Sequence, residues 1–347
     1  MKTEVSGLAV APLLPLSLIA VLPAPAGNSP VSLALAWLLF MLLAALPAAF
    51  LDMALVRRSR QWPVQGVVPV TRDSDLHTRW RLIPWLGLAA ALGLSAILAQ
   101  GLMTVVPVSP AWLPEAAPYA ALLLAAGVVF MGAEALLPLA GALSLLAVIA
   151  GLALNPPDLA LAPLTTEGWR HAALMALVAA GSSAGLHAWW AQRTLSVNTP
   201  ARSLTAFWLI QSVAGVLAIL ATSHSAAGIA PCLAVIPAVT SLILLLQIVV
   251  QQLRSRNYPL PVALGGAGLA CAGLVALSVV PGFAAGIQAL SLLALVGLSL
   301  LVGWAMKISH VRKALAFGSE ALYNLWRVAV RLLLPLLCLW ALTGLWH

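Results

Sequence analysis

The residues most able to do chemistry in this chain are helix breakers and small hydroxyl side chains. The stretch "AAGSSAGLHAWW", Ala179 to Trp190, puts Gly181, Ser182, Ser183, Ala184 and Gly185 at the middle of an apolar run. A second stretch, "GLAVAPLLPLSLIAVLPAPAGN" from Gly7, carries Pro12, Pro15 and Pro23. Proline removes an intrahelical donor and clashes with the preceding turn, so Pro12 and Pro15 predict a kink or break over Pro12 to Ser17. Within a membrane, two broken helices offer half-helix ends, electropositive at an N-terminus and carbonyl-rich at a C-terminus, that can hold the polar groups of a small solute. That chemistry is binding. Its contacts would be Pro12, Leu13, Pro15 and Ser17 from the first stretch and Gly181, Ser182, Ser183 and Gly185 from the second. The same small residues also form contact surfaces between closely packed membrane helices, and both readings stay open here.

The remaining reactive residue types lack a catalytic arrangement. His171 and His187 lie too far apart in sequence to place two metal ligands on one turn. His187, beside Trp189 and Trp190, is expected toward the inner interface. Cys232, Cys271 and Cys338 are single and set in apolar runs, which suits packing and gives neither a disulfide framework nor a metal spacing. No nucleophile elbow or phosphate-binding loop accompanies the serines and glycines. The chain is therefore read as no enzyme, without cofactor. Asp52 is the one carboxylate well inside an early apolar run, and a charge there is costly unless paired; Arg57, five positions on, could be its partner. Glu134 is expected in a tight inner turn.

The elements that must position these residues follow from composition. Of 347 residues, 63% are hydrophobic and 7% charged, more apolar surface than a soluble globule can hide. A ruler of about 20 apolar residues per crossing gives all-α spans near 7–25, 31–55, 82–106, 118–133, 136–154, 168–192, 203–223, 228–252, 260–280, 284–306 and 323–345. Pro107, Pro110, Pro114 and the "NPPD" beginning at Asn155 supply turns between them. The run from Gly7 reads as a first span, since no cleavage site and soluble domain follow it.

Charge tests the count, because cytoplasmic loops collect Lys and Arg. With the N-terminus inside, all but Arg170 of the 17 Lys and Arg residues fall on or near the cytoplasmic side, Lys2 among them. Glu115, Asp158 and Glu167 fall outside. The net charge of +8 is thus an orientation signal, and without basic patches interleaved with aromatics it implies no nucleic-acid partner. Thirteen Trp residues are expected mostly at span ends, as an aromatic belt. The longest polar connection, 57–81, is on the inner face. The short loops fit a bacterial inner membrane and leave function within the bundle.

The order of these features resembles the neurotransmitter:sodium symporter family, the LeuT-like transporters. "ALPAAFLDMALVRRSR" is similar to the family's second helix, with Pro47, Asp52 and Arg57 in its proline, acidic and basic places. "EGWRHAALMALVAAGSSAGLHAWW" is similar to its unwound sixth helix, and "AVTSLILLLQ" to its eighth, through Thr240, Ser241 and Gln247. "VGWAMKISHVRKALAFGSEALYNLWRVAVRLLLPLL" resembles the tenth helix, inner loop and eleventh helix. The resemblance implies a 5+5 inverted repeat, 7–154 and 168–306, with an extra helix at 323–345. It also implies sodium-coupled uptake of an amino acid or similar small solute by alternating access. Asp52 would accept backbone N–H bonds from the broken sixth helix. Thr240 and Ser241, with the backbone of Ala11 and Leu14, would bind sodium.

The first helix departs from the family. It keeps Pro23, but Val21 stands where an arginine is expected and Leu18 where a sodium-binding asparagine is expected, and Ala179 replaces a hydroxyl in the sixth. These departures weaken one of the two sodium sites that the resemblance implies. A degenerate member acting as a membrane scaffold or complex subunit is therefore the alternative, with a membrane-protein partner or a second copy of the chain beside the lipid bilayer.

Overall fold

The structure is a computed structural model that describes residues 7–22, 24–105, 112–132, 135–154, 156–157, 159–222 and 229–345. Lys2, Pro23, Pro107, Pro110, Glu134, Asn155 and Asp158, and the side chains of Pro114 and Cys232, lie outside the described part. The described residues are helical with turns and short connections. In chain order the helices are α1 Leu13–Val21, α2 Pro30–Ser59, α3 Pro63–Asp73, α4 Ile83–Val105, α5 Trp112–Phe130, α6 Leu136–Leu154, α7 Thr166–Ala179, α8 Leu186–Arg193, α9 Pro200–Thr222, α10 Ile229–Arg254, α11 Leu260–Leu277, α12 Phe283–Ala305, α13 Ile308–Leu315 and α14 Glu320–Leu342. Eight described helices are long and apolar enough to cross a membrane. The first and sixth crossings are not continuous helices, and α7 with α8 makes up the sixth. The described residues make the chain a polytopic all-α membrane protein.

Prolines shape the crossings according to their place. Pro12 is the N-cap of α1 and Pro15 lies in its first turn, where a missing N–H costs nothing. The expected break over Pro12 to Ser17 is thus displaced: the turns cover Ala9 to Pro12, and Ser17 is inside regular helix. Within α2, Pro47 follows a π-helical turn at Met41–Ala45, and in α14 Pro335 follows one at Ala329–Leu333. A wider turn ahead of a proline is one way a helix absorbs the lost bond.

Tryptophan departs from the belt expectation. Trp37 is fully buried and donates from Nε1 to the Ser212 carbonyl at 3.0 Å, while Trp208 donates back to Met41 at 2.9 Å. Trp326 donates to Pro47 at 3.0 Å. These indoles cross-link helices, because a buried Trp N–H needs an acceptor and distorted turns leave carbonyls accessible.

The polar 57–81 connection contains the short helix α3, held by the inner cations. Arg58 pairs with Asp73 at 2.6 Å, Lys307 donates to the Asp73 carbonyl at 2.9 Å, Arg256 donates to Gln65 at 3.0 Å, and Arg81 donates to Thr71 at 3.0 Å. The cations that set orientation also bind the inner face together. Cys271 and Cys338 are buried free thiols, as packing residues should be.

The orientation predicts labelling. In a background without native cysteines, Leu161→Cys should react with a membrane-impermeant maleimide on intact cells, and Lys313→Cys only after permeabilisation. The opposite pattern would refute a cytoplasmic N-terminus.

Candidate functional site

Helix α7 ends at Ala179 and α8 starts at Leu186, and the six residues between them form turns. Gly181 and Gly185 have φ of +73° and +81°. A side chain at either position would be strained by about 1–2 kcal/mol, so the glycines are what permits the break. At Gly181 a Cβ would also lie 2.8 Å from Leu14 Cδ1. The first-crossing residues and the sixth-crossing break therefore meet face to face, through Leu14 and Gly181.

A helix broken at membrane depth must find partners for its freed backbone groups inside the protein. Gln211 of α9 supplies them. Its Nε2 donates to the Ala180 carbonyl at 3.0 Å, and its Oε1 lies 3.0 Å from His187 Nε2 in the first turn of α8. Because the amide nitrogen is committed to a carbonyl, Oε1 must accept, so His187 carries its proton on Nε2. Nδ1 is then the acceptor for the Ser182 hydroxyl at 3.3 Å. Gln211 and His187 are fully buried, and Trp190 stacks on Phe207 beneath them at 4.9 Å. His187 is thus a core residue bracing the break, contrary to its expected place at the inner interface. Below it, Arg57 donates to the carbonyls of Thr194 and Val197 at 3.0 and 3.3 Å, capping the end of α8.

The expected solute contacts are all buried: Pro12, Leu13, Pro15 and Ser17 on one side, Gly181, Ser182, Ser183 and Gly185 on the other. In this conformation Leu14 packs against Gly181 between the two sets. A cavity of about 390 Å³ lies nearer the outer face, between the ends of α1, α2, α7 and α9, lined by Ile19, Asn28, Trp37, His171, Met175 and Thr222 among others. None of the expected contacts lines it.

The expected sodium ligands are joined to each other. Ser17 Oγ lies 2.9 Å from Ser241 Oγ and 3.1 Å from the Leu14 carbonyl. A hydroxyl has one proton, so Ser241 donates to Ser17 and Ser17 donates to Leu14. Thr240 bonds back to Ile236 of its own helix at 2.7 Å. These oxygens are satisfied without a cation, and a sodium ion there would have to displace the Ser17 bridge. Sequence reading missed Ser17 as that bridge because two serines separated by 224 positions carry no pairing signal. It also missed Gln211, for which the signal was a lone amide in the apolar run "FWLIQSVAG".

Asp52 differs from both expectations. Arg57 is turned to α8, and among the described residues Asp52 Oδ2 accepts no hydrogen bond, although Asp52 is only 3% exposed. The carboxylate lines a small cavity on the inner side of the break with Ser182, Ser183, Gly185 and Gln252.

No protein-family model and no curated protein matches the sequence. The chain is similar in structure to MhsT, whose crystal structure is in complex with L-phenylalanine; the match has a TM-score of 0.64 and 15% identity, and covers 98% of each chain. At that identity the likeness is one of fold, and it makes the architecture the LeuT fold, as the resemblance implied.

The bracing of the break is testable in purified protein. Gln211→Leu leaves the Ala180 carbonyl and the His187 N–H without partners and should cost about 1–3 kcal/mol, read as a lower denaturation midpoint. In a double-mutant cycle, Gln211→Leu with His187→Ala should destabilise less than the sum of the singles. Additive losses would show that the two side chains act independently.

Proposed function

We propose that this LeuT-fold chain is a secondary transporter that moves a small solute, an amino acid or a similar zwitterion, by alternating access in a bacterial inner membrane. The observation that carries the reading is the meeting of two interrupted crossings, Ala9–Pro12 and Ala180–Gly185, through Leu14 and Gly181. An unbroken helix would satisfy its own backbone at no cost. Here the protein commits two left-handed glycine positions and a buried Ser182–His187–Gln211 relay to keep the sixth crossing open. The fold neighbour with L-phenylalanine bound supports an amino acid as the solute class.

In this mechanism the arrangement described is a closed state. Movement of α1 away from α7 and α8 withdraws Leu14 from Gly181, and the freed half-helix ends take the solute's charged groups. Two repeats, 7–154 and 168–306, would rock against each other with the 323–345 helix as an appendage. Sodium coupling belongs to the same proposal: the ion would be carried at Thr240 and Ser241 with the Ala11 and Leu14 backbone. It would take the place that Ser17 holds between Ser241 and Leu14. Hard oxygen donors suit such an ion.

A second reading has its own observation. Leu14 occupying the centre and the closed Ser17–Ser241 pair suit a member that no longer transports and serves as a subunit of a membrane complex or homodimer.

Proteoliposomes separate the two. Under an inward sodium gradient, uptake of one radiolabelled amino acid from a panel should exceed that under potassium, and Gly181→Leu should reduce it to background while the protein stays monodisperse. Ser241→Ala should remove the sodium dependence. No uptake of any solute under either cation, from well-folded protein, would leave the subunit reading.

A further inference from the structure

Three buried polar atoms without hydrogen-bond partners lie on one small cavity. They are Asp52 Oδ2 from α2, Ser183 Oγ from the break, and Gln252 Oε1 from the inner end of α10. Their residues are 3%, 8% and 2% exposed. The cavity measures about 30 Å³ and is otherwise walled by Pro63, Ile83, Pro84, Ala294 and Leu298. Buried polar groups in native proteins are nearly always paired, so three orphans around one space form a site rather than three accidents.

What the site takes follows from its atoms. With Asp52 ionised, its carboxylate oxygen and the Gln252 amide oxygen only accept and the third group is a hydroxyl oxygen, so together they offer oxygen lone pairs. None hydrogen-bonds to another, and all three residues line the same small space. The volume suits one small particle. An ionised carboxylate at this depth needs a compensating positive charge, and the nearby Arg57 is spent on Thr194 and Val197. The wall is also built to be tight: a Cβ at Gly87 would stand 2.7 Å from the Ser183 carbonyl, so only glycine lets α4 close against the break.

We infer that Asp52, Ser183 and Gln252 form a binding site for one small monovalent cation, sodium or lithium, on the cytoplasmic side of the broken sixth crossing. The site is separate from the Thr240–Ser241 pair, and it ties the charge on α2 to the backbone turn that the break depends on. Binding does not require transport, so the inference stands or falls apart from the transporter reading.

The test uses the full-length protein in detergent, at constant ionic strength, with choline chloride replaced stepwise by sodium or lithium chloride. A cation bound to the native state raises the thermal midpoint by mass action. With the Thr240–Ser241 pair removed by Ser241→Ala in every variant, the protein should show a saturable shift with sodium or lithium, and adding Asp52→Asn should abolish it. Ser183→Ala and Gln252→Leu, which remove one ligand and no charge, should each weaken the apparent affinity roughly ten-fold or more. These two variants decide the matter if Asp52→Asn fails to fold. A shift that survives in Asp52→Asn, or unchanged affinity in both Ser183→Ala and Gln252→Leu, overturns the site. So does a wild type whose stability responds to pH and not to sodium or lithium, which would mean a protonated Asp52 bridged by water. Cation binding without solute uptake in proteoliposomes would sustain this inference while removing the transporter reading.

Discussion

Much of this structure depends on keeping six residues of backbone non-helical in the middle of a membrane. Each unpaired N–H or C=O at that depth costs several kcal/mol, and the break between Ala179 and Leu186 is stable only because neighbouring crossings contribute side chains to it. Gln211 reaches from α9 to the carbonyl on the upper half and, through His187, to the lower half. One side chain therefore fixes the distance between α7 and α8. Arg57 from α2 then caps the far end of α8, and Trp190 stacks on Phe207. The short half-helix is held at its start, its middle and its end by two different crossings.

The inner face adds a second layer of constraint. The arginines and lysines that orient the chain do not simply sit in solvent: Arg58, Arg81, Arg256 and Lys307 converge on the helix Pro63–Asp73 from α2, the start of α4, the end of α10 and the segment after α12. Exposed ion pairs are individually weak. Four contacts on one short helix nevertheless set where it lies, and Pro63 at its start forms part of the wall of the Asp52 cavity. Orientation in the membrane and closure of the inner face thus use the same residues.

How much of this was legible in sequence depended on the range of the interaction. The crossings are local properties of hydropathy, and they emerge in a LeuT fold. The sixth break was readable because Gly181 and Gly185 answer a local backbone demand, a positive φ. Pro12 and Pro15 revealed that the first crossing is interrupted but not on which side, since a proline serves a helix's first turn as readily as it disrupts its middle. Long-range pairing was invisible. Ser17 with Ser241, Trp37 with Ser212 and His187 with Gln211 each join crossings whose register only packing determines. Asp52 was recognised as costly, but neither suggested partner matched, because Arg57 found carbonyls to cap and, among the described residues, Asp52 Oδ2 accepts no hydrogen bond.

The filled centre and the maintained break make sense together if the protein changes shape. A permanently closed scaffold gains nothing from glycines in left-handed conformation or from a polar relay buried in an apolar bundle, since a continuous helix would pack there with every backbone bond made. A transporter fixed open would have no use for Leu14 against Gly181 or for the Ser17–Ser241 bond. Leu14 meets the break at Gly181 and the Ser17–Ser241 pair joins α1 to α10, against which α1 also packs closely, as it does against α9. The break, by contrast, takes its hydrogen bonds from Gln211 of α9 and His187 of α8 and none from α1 among the described residues. On the transporter proposal, the braced break is the part that stays and α1, with Leu14 and Ser17, the part that moves.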